Sequence, residues 1–236
     1  MSRQPKKSDL NKPWMRPRRD KQIITMPEYH LIVTEGTKTE PGYFEGLRNE
    51  INQRYGKGRI NIKIEGTGRN TLSLVDRAQK YVEQSNNPIK HVWLVYDHDD
   101  FPRDNFDNTA HKCISLSSDG KGGDSDVIYH ALWSNQCIEL WFILHFDYYQ
   151  INAHRDDYIP KLTAFLESKR VGRYEKNRSD IYAVLRPHLE DAIRNAEKLI
   201  KQHGSDIPSR NTPGTMVFKI FDYLSDYIKE QNTIFT

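Results

Sequence analysis

His91-Val92-Trp93-Leu94-Val95-Tyr96-Asp97-His98-Asp99-Asp100 is the stretch whose reading decides the fold. Val92 to Tyr96 carry no charge and are β-branched, aromatic or bulky. Such a run suits a strand buried on both faces, as in a parallel sheet covered by helices. It stops at once in Asp97, Asp99 and Asp100. In open parallel sheets the carboxyl ends of the strands face the crevice where ligands sit. Asp97 and Asp99, two apart, leave such an end close together, and crowded carboxylates repel each other unless a cation lies between them. The alternative is an acidic turn capping the next helix, since Asp is also a favoured turn and N-cap residue. The choice depends on whether other segments bring matching carboxylates to the same edge.

Upstream, ordered structure is expected from Tyr29, and His30-Leu31-Ile32-Val33-Thr34 reads as a short buried strand. Gly36 permits a tight turn at its end, and Thr39 is predicted to cap a helix with Glu40 and Pro41 in the first turn. Phe44, Leu47 and Ile51 carry that helix to about Arg54. Glu35 therefore follows its strand as Asp97 follows its own. Ile60 to Ile64 alternates apolar and polar residues, as a strand with one polar face or an edge strand would. Gly66-Thr67-Gly68-Arg69-Asn70 reads as a turn, and Leu72, Val75, Ala78 and Val82 as the stripe of a second helix ending near Pro88. The Gly-x-Gly lacks the third glycine or the lysine of a phosphate-binding loop, so it reads as a plain strand-to-helix turn. The order β-α-β-α-β, with right-handed crossovers, predicts an α/β fold with a four-stranded, mainly parallel sheet flanked by helices.

Downstream, a helix is predicted from Phe101-Pro102-Arg103-Asp104 through Ala110 and Ile114, followed by a glycine-rich loop at residues 119–123. Val127 to Leu132 reads as a fourth strand, Ser134-Asn135 as a helix cap, and Cys137 to Phe146 as a buried helix. Glu139 is the lone carboxylate inside this apolar segment. Burying it unpaired costs several kcal/mol, so it needs a partner: an arginine, a backbone cap, or a metal shared with Glu35, Asp97 and Asp99.

The chain has 236 residues, enough for one large domain or a core with an appendage. Only 36% are apolar, but 13 Tyr and 9 Phe can furnish a core. The sequence contains no apolar run of about 18 residues that would span a membrane, and its start has no apolar segment of a signal peptide. Cys113 and Cys137 make neither a disulfide framework nor a zinc site, which points to a reducing, cytoplasmic setting. The net charge of +3 is uneven: Arg3, Lys6, Lys7, Lys12, Arg16, Arg18, Arg19 and Lys21 face only Asp9 and Asp20. Such an arm suits phosphates and equally suits a solubilising tail. The expected organisation is a basic arm over 1–28, a catalytic core over 29–148 and a mainly helical extension over 149–236, packed on the core.

Three motifs carry a family resemblance: Leu31-Ile32-Val33-Thr34-Glu35-Gly36-Thr37-Lys38-Thr39-Glu40-Pro41-Gly42-Tyr43-Phe44, then Val95-Tyr96-Asp97-His98-Asp99-Asp100, then Ser134-Asn135-Gln136-Cys137-Ile138-Glu139-Leu140-Trp141-Phe142-Ile143-Leu144-His145-Phe146. In this order they closely resemble the RloB-like family, part of the Toprim group of topoisomerases, primases and overcoming-lysogenization-defect nucleases. The resemblance implies a Toprim-like sheet, with the group's glutamate at Glu35 and its Asp-x-Asp at Asp97 and Asp99. Asp100 is an extra acid, and Glu139 matches the acid of the family's Asn-x-Cys-x-Glu-Leu-Trp segment. Gln136 stands where relatives often have proline. The resemblance also implies a phage-defence, abortive-infection protein, often encoded beside an ATPase partner. Lys176 falls where such chains tend to carry a lysine, and related nucleases use one to neutralise developing charge; a solvated surface lysine is the alternative.

Four acids without a His or Cys ligand set favour Mg²⁺ or Mn²⁺ over zinc. Two such ions roughly 4 Å apart would activate a water and steady the leaving oxygen of a phosphodiester. Glu35 is assigned to the water-activating side, Asp97 and Asp99 to the metals, and Glu139 to a second site or to orienting them. Lys38, Arg69 and Arg210 are the cations expected to meet nucleic acid. Alternation points His98 away from the site. The leading function is a metal-dependent nuclease acting on RNA, tRNA among it, or DNA, with an ATPase partner and self-association as expected partners. The others are nucleotidyl transfer, for which no triphosphate pocket is advertised, and a non-catalytic nucleic-acid-binding or sensor subunit.

Overall fold

A computed structural model of the chain describes residues 26–68, 71–98, 103–119 and 127–228. The basic arm through residue 25, Arg69, Asp99, Asp100 and residues 120–123 of the predicted glycine loop lie outside the described residues.

The run around Trp93 becomes β3 (Ile89–Asp97), the middle strand of a five-stranded sheet whose order is β2 (Ile60–Gly66), β1 (Glu28–Thr34), β3, β4 (Ile128–Asn135) and β5 (Gly214–Thr215). β1, β2 and β4 run parallel to it within that sheet. Both faces of β3 are covered, as its lack of charged residues between Val92 and Tyr96 requires. On one face Val92, Leu94 and Tyr96 pack with Leu74, Val75 and Ala78 of α2 (Thr71–Glu83) and with Phe106 and Cys113 of α3 (Arg103–Asp119). On the other face Trp93 and Val95 meet Tyr43, Phe44 and Leu47 of α1 (Thr39–Tyr55) and Leu140 to Leu144 of α4 (Glu139–Leu144).

The register sets the site. Thr34 pairs with Val95, and Asp97 with Ser134, so β1, β3 and β4 end level with one another. Their carboxyl ends form one edge, where the acids that follow them must meet.

The rest of the chain completes the same core. α5 (Arg155–Ser168), α6 (Ile181–Leu185), α7 (Leu189–His203), α8 (Phe218–Tyr223) and α9 (Ser225–Ile228) contribute Leu162, Leu185, Leu189, Leu199, Phe221 and Ile228 to the cluster that holds Trp93. The predicted four strands are five, because β5 (Gly214–Thr215) pairs antiparallel with the end of β4. Two residues are too few to leave a period in sequence. Ser134 and Asn135, predicted as a helix cap, instead finish β4. Ser134 Oγ lies 3.0 Å from Thr215 Oγ1, and Asn135 Nδ2 donates to Thr212 Oγ1 at 2.6 Å. Their capping side chains serve the sheet edge, so α4 starts later than expected and is short. No helix among the described residues is long and apolar enough to cross a membrane.

Candidate active site

Glu35 leaves β1 with its backbone N–H on the Val95 carbonyl at 2.9 Å, which lays it beside the end of β3. There the Asp97 N–H reaches Glu35 Oε2 at 3.4 Å. The turn after β2 is drawn under the pair: Thr67 N donates to Thr34 O at 3.0 Å and Gly68 N to Glu35 O at 2.9 Å. A side chain at Gly66 would meet the Gly36 carbonyl at 2.9 Å, so this glycine is needed for close loop packing, in keeping with a plain turn.

Glu139 opens α4 and is only 4% exposed. It accepts a hydrogen bond from the Tyr174 hydroxyl at 3.0 Å. That partner is neither an arginine nor a backbone cap; it comes from the loop between α5 and α6. Glu40, read from sequence only as a first-turn helix residue, is 7% exposed and folds its carboxylate back over Gly36, into space that a methyl group there would occupy. Burial raises the Glu40 carboxyl above its ordinary range, the Glu139 charge adds to this, and Lys176 pulls the other way. The signal that could have found it is the second glutamate five residues after Glu35, one helical turn beyond a glycine that permits close approach.

Glu35, Glu40, Asp97 and Glu139 line one pocket of about 360 Å³ together with Lys38, Arg155 and Lys176. Lys176 arrives from the C-terminal half, held by its carbonyl, which accepts from the Thr39 hydroxyl at 2.6 Å. Thr39 was predicted to cap α1; its hydroxyl is engaged with Lys176 instead, and α1 carries no side-chain cap. Arg155, the first residue of α5, was not singled out in sequence. Its backbone N–H donates to the Gln136 side-chain oxygen at 2.9 Å, so Gln136 fixes the start of that helix. Cys137 also lines the pocket, with its thiol pushed up by burial first and then by Glu139 and Asp97, which leaves it protonated and inert.

His98 donates its backbone N–H to Ser134 O and Gln136 O and sets its ring edge-on to Phe106. Arg210 lies outside the pocket, on the 3-10 turn Pro208–Arg210, where Asp107 accepts from both the N–H and the hydroxyl of Ser209. Asp99 and Arg69 fall outside the described residues.

At the opposite, amino end of the sheet, Glu28, His30 and His91 bring one potential metal ligand atom each within 4.8 Å of one another. Sequence reading did not find this triad. It is bound into a hydrogen-bond chain whose direction can be assigned. An indole N–H only donates, so Trp93 Nε1 at 3.0 Å makes His30 Nδ1 an acceptor and leaves the ring proton on Nε2, facing Glu28 Oε1 at 2.7 Å. Tyr223 donates to Glu28 Oε1 at 2.8 Å, His91 Nε2 lies 2.7 Å from that hydroxyl, and His130 Nε2 lies 2.9 Å from His91 Nδ1. All three imidazoles are satisfied as neutral rings. A metal on His30 Nε2 would require the imidazole to give up its only proton, so this arrangement favours the hydrogen-bond chain. Burial lowers His30 and His130 to about 4, with His91 as a further cause for both, and burial lowers His91 as well.

No curated protein and no solved structure matches the chain. A family model described as RloB-like protein matches residues 30–224, most of the sheet-and-helix body just described, and the chain belongs to the RloB-like family.

Proposed function

We propose that the chain is a metal-dependent nuclease of the Toprim type, hydrolysing phosphodiesters of RNA, tRNA among them, or of DNA, as the effector of an anti-phage defence system. The observation that supports this reading is the convergence of Glu35, Asp97 and Glu139, from three separate segments, on one pocket with Lys176. The donors are carboxylate oxygens, and the neighbouring Cys137 is held as a thiol, so the set suits Mg²⁺ or Mn²⁺ rather than zinc. Glu35, Asp97 and Glu139 would hold the cation, with Asp99 as the further acid of the motif; bound there, it would supply charge neutralisation at the phosphate and acidify water. Glu35 would accept the proton of the attacking water. Lys176 and Arg155 bring positive charge to the same pocket, where it offsets the charge that develops on the phosphoryl oxygens. Lys38, which lines the same pocket, would hold the strand by a neighbouring phosphate. The Tyr174 hydroxyl orients Glu139. An ATPase partner and a second copy of the chain are the proposed protein partners, in a cytoplasmic setting.

The test is incubation of the full chain with labelled tRNA, single-stranded DNA and plasmid, with Mg²⁺, Mn²⁺ or chelator. Metal-dependent cutting that Asp97→Asn abolishes is expected. Product formed only with added nucleoside triphosphates would replace hydrolysis by nucleotidyl transfer. Silence on every substrate, alone and with the ATPase partner, would replace it by a binding or sensor role.

A further inference from the structure

Asn135 and Gln136 are neighbours in sequence, and their side chains seat two separate parts of the chain. Asn135, buried at the end of β4, donates from Nδ2 to Thr212 Oγ1 at 2.6 Å and to Ser209 O at 3.4 Å. It thereby holds the 3-10 turn Pro208–Arg210. Gln136 accepts from the Arg155 N–H and holds the start of α5. The two seats lie on opposite faces of the sheet. α5 packs through Tyr158, Leu162 and Leu166 into the cluster of Trp93 and Val95. The turn is tied instead to α3, where Asp107 accepts from the N–H of Ser209 at 2.8 Å and from its hydroxyl at 2.6 Å. α3 covers the face of Val92, Leu94 and Tyr96. Between the two seats β3 ends: Asp97 pairs with Ser134, and the His98 N–H reaches both Ser134 O and Gln136 O. The elements that carry Arg155 and Arg210 therefore flank the edge at which Asp97 emerges.

Arg210 is exposed, and its guanidinium has no hydrogen-bond or salt-bridge partner among the described residues. Arginines on other surfaces pair with nearby carboxylates, as Arg178 does with Asp180 and Arg194 with Asp191. The backbone under Arg210 is fixed on both sides. Besides the bonds of Ser209, the buried Asn211 donates from Nδ2 to Ser205 O at 3.0 Å and to Ile207 O at 2.9 Å. A guanidinium without a carboxylate, on a turn held in this way, suits a phosphate, which it meets with two parallel N–H donors.

We propose that Arg210 is a phosphate contact for a nucleic-acid strand that crosses the sheet edge, with Arg155 on the other side of Asp97. A strand held on both sides of the acids continues past the scissile bond in both directions. The cut is therefore internal, and not the removal of a terminal nucleotide. The position of the cut rests on the nuclease reading; the contact at Arg210 does not.

The test is fluorescence anisotropy of labelled single-stranded oligonucleotides of RNA and of DNA with the full chain, in chelator, over a range of salt. A second arm follows cleavage of a circular single strand in Mg²⁺ or Mn²⁺. Arg210→Ala should leave Tm unchanged and weaken strand binding at least about threefold, and the slope of log affinity against log salt should fall by about 0.7, the share of one phosphate on a single strand. Arg210→Lys should recover part of the loss. Lys57→Ala, an exposed change ahead of β2 at the opposite end of the sheet, should alter neither quantity. The wild type should open the circle. The contact is overturned if the wild type binds no strand, if Arg210→Ala binds as the wild type does, or if Lys57→Ala weakens binding as much. Linear strands shortened from one end while the circle stays closed would overturn internal cutting. Weakened binding by Arg210→Ala without cleavage of any strand would uphold the contact and remove the nuclease reading.

Discussion

The Thr39 hydroxyl donates to the Lys176 carbonyl at 2.6 Å across 137 positions of sequence. This one bond ties the loop that carries Lys176 and Tyr174 to the turn of α1 that carries Glu40. Thr39→Val keeps the shape and removes the donor. Because the bond is exposed, the cost to stability should be small, on the order of 1 kcal/mol. Cleavage should fall more steeply, through kcat, because Lys176 loses its seat. Equal losses in Tm and rate, or no loss of rate, would separate Lys176 from the chemistry.

Glu139→Gln keeps an acceptor for Tyr174 and removes the repulsion with Glu40. It should melt at or above wild type without metal, and lose the stabilisation that Mg²⁺ or Mn²⁺ confers. Tyr174→Phe does the reverse: the buried carboxylate stays and its donor goes, at a cost of about 1–3 kcal/mol. A thermal-shift series on both variants, with and without metal, checks the pair. A clear drop in the metal-free Tm of Glu139→Gln would return that residue to a structural role.

Two glycines of α1 and its preceding turn should respond differently to alanine. At Gly36 the added methyl meets only the flexible end of Glu40, so Gly36→Ala should displace that carboxylate, impair cleavage and leave Tm nearly unchanged. At Gly46 it meets Tyr182 Cβ and Cγ, the root of that side chain, which cannot swing aside, and overpacking of this kind typically costs about 1–3 kcal/mol. Denaturant titration of the two variants, beside their activities, tests the contrast.

His30 and His130 are held to about 4 and His145 to about 3, all by burial first, against an ordinary value of 6.5. As pH falls below 6.5 the unfolded chain takes up these protons and the folded chain does not. Stability is therefore full above about 6.5 and declines as pH falls towards 4, at up to ~1.4 kcal/mol per pH unit per histidine. Urea unfolding across this window should show the decline, and His130→Gln should make it shallower. An unchanged slope in that variant would mean His130 takes its proton in the folded state.

The level ends of β1 and β3, and the acids that follow them, were legible in sequence because a doubly buried strand must shed charge along its length and recover it where it emerges. Lys176 could only be suggested, by resemblance, and its place beside the acids is a tertiary fact. Glu139 showed that it needed a partner but not which one: the desolvation cost is local, whereas the Tyr174 hydroxyl that meets it comes from 35 residues away.

What the sequence by itself determined is the α/β order, the buried runs, and the position of Glu35 and Asp97 at strand ends, because periodicity and charge exclusion act between neighbours; Glu139, expected inside a helix, opens α4. Only the tertiary structure decided that Glu40 turns back over Gly36, that Gln136 seats Arg155, that Thr39 serves Lys176 instead of its own helix, and that β5 closes the sheet edge. Each of these is a single contact between distant segments, settled by packing and hydrogen-bond satisfaction after the chain has folded, and such contacts repeat with no period that a sequence can display.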